Sequence, residues 1–222
     1  TLLAINANNN SKKPRDINKR ANSKQLTLRQ ALTAPVVRLF SSLIMERIGF
    51  GLATFYYPSF LRTLYDLEIE AIALPLAGFA VGNITGTLLG GQLADRFPFR
   101  RVSSAGMLLL SGSFALAWFL WTPGLVTTAF LGIGFSLFNA LSRPPLMAAL
   151  ADVPTEVRGV IMGLNSSVAS IGWLTASVLG GWLYLVVGFK GFGPLMLFVC
   201  VIGALILLPD CRQRSNQLTV NE

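Results

Sequence analysis

Six apolar stretches, at 35–61, 71–94, 102–121, 124–150, 159–187 and 191–209, constrain this chain more than any other feature. Each is about 18 residues or longer, enough for a helix to cross a hydrocarbon layer about 30 Å thick. Backbone in lipid has no water to bond, so each stretch must satisfy its own N–H and C=O groups as an α-helix. Pro, Gly and charged residues mark the gaps, at Asp66-Leu67-Glu68, Phe97-Pro98, Thr122-Pro123-Gly124, Val153-Pro154 and Gly188-Phe189-Lys190. The sequence therefore predicts an all-α integral membrane protein with six transmembrane helices. It divides into a polar basic linker or tail (1–34), a six-helix bundle (35–209) and a C-terminal tail (210–222).

Only 13% of the residues are charged, against about a quarter in a soluble domain, so the chain cannot face water all round. The net charge of +8 is segregated: seven basic residues, from Lys12 to Arg29, precede the first apolar stretch. That distribution offers no basic folded face, and nucleic acid is not an expected partner. The tail is either drawn to anionic lipid of the inner leaflet or stays a solvated linker. With the amino terminus inside, the inner loops collect Arg96, Arg100, Arg101 and Arg158. The outer loops hold Arg62 and Lys190 beside Asp66, Glu68 and Glu70. Both termini are then cytoplasmic, in a plasma or inner membrane. The chain has no histidine, and Cys200 and Cys211 lie in unrelated settings, so no metal, cofactor or disulfide is expected. No nucleophile with its base and no phosphate-cradling loop is visible, which argues against an enzyme. The opening residues do not read as a secretory signal.

The stretch Gly91-Gln92-Leu93-Ala94-Asp95-Arg96-Phe97-Pro98-Phe99-Arg100-Arg101 resembles the G-x-x-x-D-R-x-G-R-R loop of the major facilitator superfamily. In that family the loop follows the second helix of each six-helix half. Its acid at a helix end can meet basic residues and a helix terminus, forming a latch that closes and releases. Here Pro98 replaces the family's Gly and Phe99 the first Arg of its pair. The segment from Val153 to Leu164 is similar to the family's entry into the fifth helix. Thr128 stands where N-terminal halves often carry an Arg ahead of Gly132-Ile133-Gly134. Gly172, Ala176, Gly180 and Gly181 run without the Gly-Pro pair of antiporter N-terminal halves. The resemblance, over about 35–209, implies the C-terminal half of a secondary active transporter. It would move a small-molecule solute by alternating access, coupled to protons, between this half and a second six-helix half. The alternative is a truncated or non-transporting membrane interaction protein that needs a partner half.

Glu46 and Arg47 lie well inside the first apolar stretch, where ionisable side chains are costly and mark function or a structural pair. Arg143 follows Asn139 by one helical turn and precedes Pro144-Pro145. It could hold an anionic substrate or a carboxylate such as Glu46, or bond the carbonyls freed by the prolines. Asn83, Thr85, Asn165, Ser166 and Ser170 either line a cavity or bond between helices. Phe50, Tyr56 and Tyr57 suit substrate stacking, and the tyrosines suit an interfacial belt as well. Gly78, Gly82, Gly86 and Gly90 recur every four residues, and Gly172, Ala176 and Gly180 repeat the device. Such stripes admit another backbone. They serve static packing or, as the resemblance implies, a gating interface, with Gly82 and Gly86 facing the other half.

Overall fold

The computed structural model describes residues 32–96, 99–121, 124–152 and 155–208. Among them six α-helices form: α1 (Ala34–Tyr65), α2 (Ile69–Arg96), α3 (Arg100–Leu120), α4 (Leu125–Ala151), α5 (Thr155–Val187) and α6 (Phe192–Leu207). A 3-10 helix, Gly188–Gly191, separates the last two. The basic stretch up to residue 31, the segment from Pro209 with Cys211, and Pro98, Pro123, Val153 and Pro154 lie outside the described residues.

Four stretches are long and apolar enough to cross a membrane: Ile69–Arg96, Arg100–Leu120, Leu125–Ala151 and Val157–Leu207. By that measure the crossings are fewer than the six expected, for two physical reasons. α1 carries Arg38, Glu46, Arg47 and Arg62 and is not among them. α5 and α6 share a single apolar run of 51 residues. A straight helix of that length would extend about 75 Å, more than twice the hydrocarbon thickness, so it must turn. The turn comes at Gly188, where φ is 71°, a left-handed conformation that a side chain would disfavour.

α4 packs between α2 and α3, α6 packs on α3 and α1, and α5 lies along α1. The four-residue glycine period of α2 is explained by α4. A Cβ on Gly82 would lie 2.8 Å from the Ile133 carbonyl oxygen, and one on Gly90 the same distance from that of Leu141. On Gly86 it would strike the Leu137 carbonyl oxygen, and on Gly78 it would lie 2.8 Å from the Ile133 side chain. The expectation that Gly82 and Gly86 face another half is therefore corrected: both are buried against a helix of the same bundle. A glycine period shows that some backbone comes close, but not whose. α2 turns Leu74, Val81, Ile84 and Leu88 outward instead. On α5, Gly172 packs on the Arg47 Cβ, Ala176 approaches Gly51 and Gly180 faces the Tyr56 ring, all on α1.

Hydroxyls tie the helices at depth. Ser42 donates to the Gly203 carbonyl (2.9 Å), Ser136 to Phe79 (2.8 Å) and Ser104 to Ser142 (3.1 Å). Thr85 and Ser170 instead bond back to carbonyls of their own helices. Two apolar clusters fill the interior. One gathers Leu52, Tyr57, Phe60, Phe79, Trp118, Phe135 and Phe192, and the other Leu39, Leu43, Leu108, Leu146, Leu150 and Ile161. Along α1 the two meet between Leu43 and Ile48, which brackets Glu46.

Candidate functional site: a buried ion cluster between α1 and α4

Glu46 and Phe50 are four residues apart on α1, and Asn139 and Arg143 four apart on α4. Each pair therefore shares one helix face. Where the helices meet, Arg143 Nε donates to Glu46 Oε1 at 2.7 Å and its Nη2 donates to Asn139 Oδ1 at 2.9 Å. The Arg143 guanidinium lies over the Phe50 ring, 4.1 Å from its centroid, a cation–π contact on a desolvated face. Phe50 is held in turn by Phe79, stacked at 5.8 Å, and by the edge of Trp173, also at 5.8 Å. Arg143 thus engages side chains rather than the carbonyls freed by its neighbouring prolines, and α4 runs unbroken through Pro144 and Pro145.

Arg47 Nε lies 3.3 Å from Glu46 Oε2, close enough for ion pairing but without hydrogen-bond geometry, so both atoms lack a hydrogen-bond partner. The Glu46 side chain is 0% exposed, Arg143 13% and Arg47 19%. One buried carboxylate is shared by two guanidinium groups, leaving one positive charge in excess. Asn139, also 0% exposed, accepts from Arg143 on its oxygen while its Nδ2 has no hydrogen-bond partner. Asn83 Nδ2 and Asn165 Oδ1 are further buried polar atoms without partners.

Of the aromatic candidates, Phe50 joins the cluster, whereas Tyr57 is buried against Trp118 with ring centroids 4.5 Å apart. Tyr56 donates to the Ser177 carbonyl on α5 (3.0 Å). Thr128 is buried and shares a 2.6 Å hydrogen bond with the Tyr65 hydroxyl.

The motif read as a loop is mostly helical. Gly91, Asp95 and Arg96 belong to the last turns of α2, and Arg100 and Arg101 to the first turn of α3. Asp95 and Arg96 are exposed, and nothing lies within 4 Å of a Cβ on Gly91. Arg100 makes the link across this end. Its Nη1 donates to both Asp152 carboxylate oxygens (3.1 and 2.9 Å) at the C-terminus of α4, and its Nε to the Ala94 carbonyl (3.2 Å). Asp152 was not among the residues singled out from the sequence. Its signal was its place at the end of the fourth apolar stretch, opposite the motif. Because the pair is largely exposed, Asp152→Asn is expected to cost only about 0.2–1 kcal/mol of stability, less at high salt. Thermal unfolding at two ionic strengths checks this, and a large salt-independent loss would count against it.

A family model described as Major Facilitator Superfamily matches residues 39–221. The chain is 25% identical over 167 residues to an uncharacterized MFS-type transporter, YceJ, of Bacillus subtilis, covering 70% of this chain and 42% of that protein. It is 29% identical over 145 residues to the multidrug resistance protein MdtH of Salmonella arizonae, covering 61% and 34%. To the staphyloferrin B transporter of Staphylococcus aureus it is 25% identical over 172 residues, covering 72% and 40%. This chain spans between 34% and 42% of the length of these relatives. No solved structure matches.

Proposed function

Because this chain belongs to the major facilitator superfamily, on a match over residues 39–221, we propose that it forms one six-helix half of a proton-coupled secondary transporter. We assign it to the C-terminal half, with both ends on the cytoplasmic side. It would move a small-molecule solute by rocking against a second half, supplied by the same polypeptide or a partner chain. Relatives named as an MFS-type transporter and as a staphyloferrin B transporter support the reading. Their names do not choose a solute for this chain, since one scaffold serves many.

The observation that carries proton coupling is Glu46: a carboxylate at 0% exposure on α1, bonded to Arg143 on one oxygen and without a hydrogen-bond donor on the other. Buried charge of this kind is costly and is retained inside membranes where it works. In this mechanism protonation removes the charge that holds Arg143 to α1, loosening the α1–α4 contact during the cycle. Polar groups and glycines within the bundle would let the helices slide.

Proteoliposomes of the full natural polypeptide, loaded with a pH-sensitive dye and screened with solute gradients, test the reading. Proton flux is expected to accompany solute movement. Solute movement with no proton flux would leave an uncoupled carrier. An antibody against Gln213–Glu222 on source membranes addresses the second half. A band near twice this chain's mass is expected if both halves share one polypeptide. A band at the mass of this chain would mean a partner chain or the non-transporting alternative.

A further inference from the structure

We propose that the Arg143–Asn139 turn of α4 is a docking point for an organic anion, which takes the guanidinium from Glu46 when that carboxyl is protonated. The inference rests on the transporter reading and names the solute class for the same site.

Three independent features point to an anion. The first is charge: Arg47 and Arg143 converge on Glu46 alone, and Glu46 is the one acid among the buried polar and charged residues described. An uncompensated guanidinium in a low-dielectric site attracts a second anion strongly. The second is an unused donor. Asn139 is fully buried, its oxygen accepts from Arg143, and its Nδ2 has no partner, so one N–H-bearing group stands ready beside the guanidinium. Arg143 Nη1 is likewise free of hydrogen bonds to the described residues, so a planar anion such as a carboxylate finds donors from both side chains. The third is the wall. Phe50 carries the guanidinium on one face, is backed by the buried Phe79 and, with the half-buried Trp173, offers an apolar edge suited to a hydrocarbon or aromatic body.

The exchange balances. A proton from water joins a Glu46 oxygen and the Arg143–Glu46 ion pair ends. The incoming anion then pairs with Arg143, and no covalent bond other than O–H is made. The cluster's net charge is +1 before and after, because one proton and one anion load together. Solute and proton would therefore travel in the same direction. The charged and hydrogen-bonding groups of the site all lie on α1 and α4.

The test uses the full natural polypeptide, purified, with benzoate, benzamide and benzylamine, which share a ring and differ in charge. Binding is followed by calorimetry, and proton uptake by an indicator dye in weakly buffered solution. Benzoate is expected to bind in preference to the other two, taking up about one proton per anion. Glu46→Gln should bind benzoate at least as tightly with no proton uptake, and Arg143→Lys should weaken it by about tenfold or more. Equal or better binding of benzamide or benzylamine would overturn the proposal, as would benzoate binding without proton uptake. Failure of benzoate to bind at all, as when a carboxylate of the second half fills the place permanently, would overturn it too. The wild-type measurement stands alone if a variant does not fold. Benzoate binding with proton uptake but no solute flux in proteoliposomes would remove the transport reading and leave the anion site. Proton-coupled flux of cationic or neutral solutes without benzoate binding would do the reverse.

Discussion

Under the proposed proton-coupled mechanism, Glu46→Gln is expected to flatten the pH dependence of transport, and it should destabilise the protein by about 3–5 kcal/mol, the usual cost of removing one partner of a buried ion pair. The reason is local. Arg143 loses its 2.7 Å acceptor charge while it remains almost enclosed by Phe50, Asn139 and α1. Gln keeps a carbonyl acceptor of similar shape, so the loss should fall toward the lower end of that range. The informative control is a triple variant. Glu46→Leu with Arg47→Met and Arg143→Met removes all three charges, and replacing a whole buried ion cluster by apolar groups is often neutral or stabilising. Thermal unfolding of the purified polypeptide should place the triple variant near the wild type and the single variant well below it. A single variant as stable as the wild type would show that the pair is not energetically engaged.

The second large effect is expected at Gly86. Even Gly86→Ala places a methyl group against the Leu137 carbonyl oxygen and 2.9 Å from the Ala140 Cβ, and a backbone carbonyl cannot step aside as a side chain can. Overpacking of this kind costs about 1–3 kcal/mol, and a branched residue there should separate α2 from α4 altogether. Gly91→Ala, five residues on in the same helix, meets nothing within 4 Å. It should be neutral, or slightly stabilising because alanine suits a helix better than glycine. Yield of monodisperse protein on gel filtration and the unfolding midpoint compare the two directly. Equal tolerance at both positions would mean that α2 and α4 do not touch as described.

The helices themselves were legible because lipid demands long apolar runs, and their ends fell close to the Pro, Gly and charged punctuation. Glu46 and Arg143 stood out for the same reason, as charges where charge is costly. What the sequence withheld was contact between helices. Its periodicities are internal to one helix, so a four-residue glycine stripe on α2 was equally compatible with α4 or with a helix of another bundle. Glu46 and Arg143 are 97 positions apart, and the sequence offered Glu46 only as one candidate partner of Arg143, beside an anionic substrate and the freed carbonyls. Phe50 was flagged for stacking a solute, yet its neighbour is the guanidinium. Asp152 went unremarked because a lone acid after an apolar run looks like ordinary punctuation.

That separation of Glu46 from Arg143 also has a meaning in time. A ribosome adding about 5–20 residues per second needs roughly 5–20 seconds to go from one to the other. Throughout that interval Glu46 has only the neighbouring Arg47 as a counter-charge, and α1 is the helix too polar to count as a membrane span by composition. Its full pairing in the bilayer is therefore expected only once α4 brings Arg143 to Glu46. The bundle is then completed around its oldest helix rather than built outward from it.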